Sequence, residues 1–132
     1  MFAIRPFFVS TILSFASAIS YAQSSVVVEW APFIKAVDIP DPVLIHAADK
    51  VTSEFLNHQA GFIKRDLVKK SDSEYADIIH WNTKSDATAA ANKVETCSVC
   101  AEYFELMNIS ESDTSGAGFS YFSVLKTWSI EP

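Results

Sequence analysis

The chain predicts an α+β domain in which four strands and two helical regions alternate as β-α-β-β-α-β. Residues 60–82 carry most of that reading. Ala60-Gly61 opens an extended run from Phe62 to Lys70, Ser71-Asp72-Ser73 turns it, and Glu74 to Trp81 runs back as the second half of a hairpin. The other two observations are the β-branched and aromatic runs near either end of the chain and the helical spacing of apolar residues between them.

In chain order, the first segment reads as an address rather than as part of the fold. Arg5 supplies a positive start, Pro6 to Ile19 is mostly apolar, and Ser20-Tyr21-Ala22 places small side chains where a signal peptidase reads. The apolar stretch is about 14 residues, short of the roughly 20 that a membrane-spanning helix needs. Residues 1–22 are therefore expected to be a signal peptide, with Ala16-Ser17-Ala18 as a second possible cleavage site, and the protein to be secreted or periplasmic. Residues 23–132 then form a single domain, which buries about two-thirds of its unfolded surface. The full chain carries a formal charge of -6, and losing Arg5 takes it to -7 because residues 1–22 hold no acid. An acidic domain without a Lys/Arg stripe argues against nucleic acid and anionic membrane surfaces as partners.

Ser25 to Ile34 is the first strand, with Pro32 marking its end or an edge position. Asp41 before Pro42 reads as a helix N-cap, and Leu44, Ala47, Ala48, Val51 and Phe55 follow at helical spacing. That helix is expected to close near Gln59, with Gly61 as its left-handed C-cap. After the hairpin, Thr83-Lys84-Ser85-Asp86 resembles a capping box, and Ala87, Ala90, Ala91 and Val94 make a narrow apolar stripe. Thr96 is the expected cap of a further short helix whose face carries Cys97, Cys100, Ala101, Phe104 and Met107. Asn108 to Gly118 reads as a loop, and Phe119 to Lys126 as the last strand. This order is the split βαβ of ferredoxin-like domains, a four-stranded antiparallel sheet with helices on one face only. On the third strand Tyr75, Asp77, Ile79 and Trp81 point one way and Ala76, Ile78 and His80 the other, so both faces carry apolar residues and a second subunit is the natural cover.

Three stretches carry a family resemblance: Glu54-Phe55-Leu56 leading to Gly61-Phe62-Ile63, then Asp77 to Ala87, then Tyr103-Phe104. They resemble the antibiotic biosynthesis monooxygenase (ABM) family of dimeric α/β barrels, over nearly all of residues 25–126. The resemblance implies a homodimer and oxidation of a small aromatic or quinol-type substrate without a cofactor. In such family members a strand-three tryptophan, and an asparagine four residues before it, line the substrate pocket. Trp81 matches the tryptophan, and Asp77 stands at the asparagine position. Haem-degrading relatives place a histidine on the second helical region. This chain has none after Trp81, and Phe104 falls about where that ligand would stand, so no cofactor is expected.

The expected site is Asp77 and Trp81 as catalytic residues, on a face looking toward the helices, with Phe55, Phe62, Tyr103 and Phe104 as pocket walls. Asp77 would serve as a general base if buried against an apolar wall; a solvated or paired carboxylate is the alternative. Trp81 is read either as pocket lining or as core packing. His80 faces the other way, and the spacing of His46 and His58 does not make a metal pair, so no metal site is expected. Cys97-Ser98-Val99-Cys100 is read as a structural disulfide or buried thiols rather than as a thioredoxin-like couple, which needs the motif at the start of a helix following a strand. Asn108-Ile109-Ser110 is a glycosylation sequon, relevant only in a eukaryotic source. The competing function class is a non-catalytic small-ligand-binding or stress-related exported protein.

Overall fold

The computed structural model describes residues 25–114 and 119–132 together with Ser14 and Ala16, so the expected signal peptide lies almost wholly outside the described residues. The elements are β1 (Val27–Ile34), α1 (Asp41–Glu54), a 3-10 turn at Leu56–His58, β2 (Phe62–Lys69), β3 (Glu74–Trp81), α2 (Lys84–Ala91), a second 3-10 turn at Val94–Thr96, α3 (Ser98–Phe104), α4 (Ile109–Thr114) and β4 (Ser120–Ser123). The sheet runs β2-β3-β1-β4 with every pair antiparallel, as the ferredoxin-like reading requires.

Register decides what faces the helices. Val27, Glu29, Ala31 and Phe33 of β1 stand opposite Trp81, Ile79, Asp77 and Tyr75 of β3, and this face packs on α1, α2 and α3. Leu44 and Trp81 are the largest fully buried side chains there, each contributing roughly 1.5–3 kcal/mol or more by leaving water. The other face carries Val28, Trp30, Pro32 and Ile34 beside Ala76, Ile78 and His80, and none of these belongs to the core cluster.

Pro32 lies inside β1 rather than at its end. The β1 to β4 pairing stops at Trp30–Ser120. Beyond it, the Ile34 N–H donates to Ser112 Oγ at 2.8 Å, and alternation turns the Pro32 nitrogen to the same side, where β4 has already left. The edge reading of this proline therefore holds, and its missing donor orphans no ladder bond. Residues 109–114 are helix α4, not the expected loop: the Asn108 N–H donates to Ile34 O, and α4 fills the edge that β4 vacates.

Three caps differ from their sequence reading. Pro40, not Asp41, caps α1, because the Asp41 carboxylate is drawn out to Lys69 at 2.8 Å, Lys35 at 3.1 Å and the Tyr75 hydroxyl. Lys69, Tyr75 and Lys35 together hold that carboxyl well below the usual carboxylate range. The α-helix stops at Glu54, five residues earlier than Gln59, and continues only as the 3-10 turn. Gly61 has φ +77°, but it opens β2 instead of closing α1, and a Cβ there would run into the Asp86 carboxylate. Thr83 caps α2 as expected, the Asp86 N–H donating to Thr83 Oγ1 at 3.0 Å and the Asp86 carboxylate accepting from the same hydroxyl. Thr96 sits in the second 3-10 turn, and Cys97 is the N-cap of α3.

Candidate active site

Between the sheet and the helices lies a cavity of about 370 Å³, comparable to small-ligand pockets. Its walls are mostly apolar, from Phe55 and Val51 of the α1 side, Ala87, Ala90 and Ala91 of α2, Phe104 at the end of α3 and Met107 beyond it. The alanine stripe of α2 brings that helix close to the sheet without filling the space. Phe104, Ile109 and Phe119 line the cavity while remaining 41%, 51% and 54% exposed, so they mark its mouth.

Five polar side chains form the floor. Trp81 is 1% exposed and its indole Nε1 donates to Glu29 Oε2 at 2.8 Å. Glu29 stands opposite Ile79, one pleat from Trp81, which is the diagonal spacing at which two long side chains on neighbouring strands meet. Burial pushes the Glu29 carboxyl up from its ordinary range; the indole bond opposes this and nearby Asp77 adds to it. Asp77 accepts from Arg65 Nε at 2.8 Å and from the Tyr103 hydroxyl at 2.9 Å. Arg65 also donates through Nη1 to Ala48 O at 2.9 Å and to Thr52 Oγ1 at 3.2 Å, and its guanidinium lies 4.9 Å from the centre of the Tyr103 ring. Burial disfavours the arginine's charge, but Asp77 beside it more than restores it. Burial, reinforced by Asp77, raises the Tyr103 phenol well above its ordinary range, so Tyr103 is a hydrogen-bond donor here and not a base.

Arg65 reaches this floor through a β-bulge. The β2–β3 register shifts between Phe62 and Lys64, which places Phe62 opposite Trp81 but Arg65, not Lys64, opposite Ile79. One extra residue, Ile63, thereby turns a charged side chain from the open face into the cavity.

The expected site residues come together in large part. Asp77, Trp81, Phe55, Tyr103 and Phe104 all line the cavity. Phe62 does not; it packs edge-on behind Trp81, with ring centroids 5.8 Å apart. Asp77 is buried, yet not against an apolar wall: it is the paired carboxylate of the alternative reading, because Arg65 occupies one oxygen and Tyr103 the other. Glu29 and Arg65 were missed. Glu29 had a signal, being a lone acid in the apolar run Val26 to Ile34 on the same face as Val27 and Phe33.

Cys97 and Cys100 are joined by a disulfide. The pair stands at the start of α3, not inside a helical region, and a 3-10 turn rather than a strand precedes it. The buried face of α3 is Val99, Cys100 and Tyr103, while Ala101 and Phe104 are exposed, which corrects the expected face. Since Cys100 and Tyr103 are one turn apart, the cross-link steadies the helix that presents Tyr103 to Asp77. Replacing both cysteines with alanine is expected to lower stability by roughly 1–3 kcal/mol in denaturant unfolding. Lost turnover at unchanged stability would instead make the pair a redox couple.

No family model and no curated protein matches the chain. Solved structures do. The cofactor-independent oxygenase SnoaB from Streptomyces nogalater superposes with a TM-score of 0.59 at 15% identity, over 78% of this chain and 96% of that one. A protein proposed to be an antibiotic biosynthesis monooxygenase, from Nitrosomonas europaea, gives 0.53 at 13% identity over 80% and 95%. A mutant of MhuD, a protein from Mycobacterium tuberculosis, solved with two manganese protoporphyrin IX molecules per active site, gives 0.53 at 17% identity over 79% and 99%. At these identities the likeness is one of fold, and it is the fold that the strand-three motif implied. For a porphyrin metal the described lining offers little: no histidine is among it, its one cysteine belongs to a disulfide, and its carboxylates and phenol are tied to Trp81, Arg65 and one another, which leaves the Met107 thioether as the one soft donor.

Proposed function

We propose that the protein is a monooxygenase that acts without a cofactor on a small hydroxylated aromatic or quinol-type substrate. The observation that carries this reading is the Glu29–Trp81 pair at the floor of an apolar cavity. A carboxylate kept from water has a raised proton affinity, which suits it to take a proton from an activated ring position or hydroxyl. The resulting substrate carbanion supplies the electrons to dioxygen; a ring CH₂ and O₂ become C=O and H₂O, with one oxygen atom in each product. The protein contributes the base, the positioning and a dry surrounding. Glu29 takes the role of proton acceptor that the sequence suggested for Asp77. Trp81 orients the Glu29 carboxylate, while Asp77, held by Arg65, accepts the Tyr103 hydroxyl and so fixes that ring as part of the cavity wall.

The test is oxygen uptake by the purified protein with anthrone-like and dihydroxyaromatic compounds, with the oxidised product identified by mass spectrometry. Turnover well above the rate of autoxidation is expected. Tight binding of such compounds with no uptake beyond autoxidation would leave only a non-catalytic ligand-binding protein.

A homodimer closed over the open sheet face belongs to the same proposal. That face sets Trp30, Ile78 and an exposed Phe122 toward solvent, and burying apolar area is worth roughly 25 cal/mol per Å². Light scattering at micromolar concentration is expected to report twice the chain mass, and a clean monomer refutes the dimer. Export is supported by Arg5, the apolar run and Ser20-Tyr21-Ala22; N-terminal sequencing of exported material should begin at or near Gln23.

A further inference from the structure

The charge inventory of the cavity constrains what can enter it. Arg65 is the one cationic side chain among the described lining residues, and its side chain is 5% exposed. Its Nε is committed to Asp77, and its Nη1 to Ala48 O and Thr52 Oγ1. Against this single guanidinium stand two carboxylates, Glu29 and Asp77, so the guanidinium offers no charge that is not already opposed.

From this placement we infer that the cavity selects uncharged hydroxyaromatic ligands and rejects analogues of the same skeleton that carry a carboxylate. The inference rests on the proposed reading of the cavity as a substrate site. A ligand hydroxyl can donate to Glu29, whose Oε2 already holds the indole N–H, and the rest of the ligand meets apolar wall. A ligand carboxylate would lose its hydration on entry and find Glu29 and Asp77 instead of a free cation.

Calorimetric titration with methyl 6-hydroxy-2-naphthoate and with the 6-hydroxy-2-naphthoate anion, at neutral pH, separates charge from size, because the two share a ring system and a hydroxyl. The ester is expected to bind at least about tenfold more tightly. Ala91→Arg places a cation at the cavity's rim, on an exposed position at the end of α2, and is expected to shrink that ratio severalfold by improving the anion's binding. Equal affinities in the parent protein, no binding of either compound, or a ratio unchanged in Ala91→Arg each overturn the selection rule. Its failure is distinguishable from that of the oxygenase reading. Ester binding without oxygen uptake ends the oxygenase and leaves the selection, whereas uptake with neutral and anionic dihydroxyaromatics alike does the reverse.

Discussion

Glu29→Gln is expected to lower oxygen uptake by about a hundredfold to ten-thousandfold, the range that a positioned general base supplies. At roughly 1.4 kcal/mol per tenfold, that is about 3–5 kcal/mol of barrier. The amide keeps the size of the side chain and an oxygen for the Trp81 indole N–H, so the wall stays intact while the proton acceptor disappears. Folding should not confound the result. The Glu29 carboxyl titrates higher in the folded chain than in the unfolded one, chiefly through burial. Its stabilising contribution is therefore complete below the unfolded value of 4.5 and is lost as pH rises through the folded one. A glutamine, neutral at every pH, carries none of that loss, and thermal unfolding of the variant should show no deficit. Activity has the opposite slope: the parent's rate should climb as pH rises through the elevated Glu29 value, and the variant's should not. An Asp77→Asn variant that loses more activity than Glu29→Gln, at equal stability, would return the base to Asp77.

Arg65→Met is expected to cost about 3–5 kcal/mol of stability, because it leaves the Asp77 carboxylate buried with no cation beside it. The Ala48 carbonyl and the Thr52 hydroxyl lose a donor at the same time. Adding Asp77→Asn to Arg65→Met removes the stranded charge and retains an acceptor for the Tyr103 hydroxyl. The double variant should then recover more than half of the loss, giving a coupling of 1 kcal/mol or more in a double-mutant cycle of denaturant midpoints, on the order expected for contacting residues. A single-variant cost below about 1 kcal/mol would mean that the pair behaves as an exposed one, against its 5% and 8% side-chain exposure.

The parts of the fold that could be read from the chain are those whose causes are local. The Ser71-Asp72-Ser73 turn sits between β2 and β3, and Thr83 caps α2 through a residue three positions on. Period-two alternation along β3 placed Asp77 and Trp81 on one buried face for the same reason. Two readings failed where a distant group outbid a local one, and a third, of the cysteine motif, failed by a single residue. Asp41 is a plausible cap until Lys69 and Tyr75, far along the chain, claim its carboxylate. Residues 109–114 look like a loop until the β1 edge left by β4 gives them something to bond. The cysteine motif reads as mid-helix until Cys97, not Thr96, proves to be the cap.

By itself the sequence determined the order of the four strands and of helices α1 to α3, the inward face of β3 and the aromatic supply around it, since periodicity and turn chemistry act over a few residues. Only the tertiary structure decided which charges share the cavity. A β-bulge at Ile63 rotates Arg65 inward, and the β1–β3 register brings Glu29 within reach of Trp81 across 52 residues of chain. Pairing with Arg65 and Tyr103 then turns Asp77 from an isolated acid into a fixed one. Each of these depends on which strand lies beside which and in what register. Two buried carboxylates of similar local appearance are thereby separated into one held by a cation and one whose proton affinity is raised by burial, and that separation arises from long-range packing.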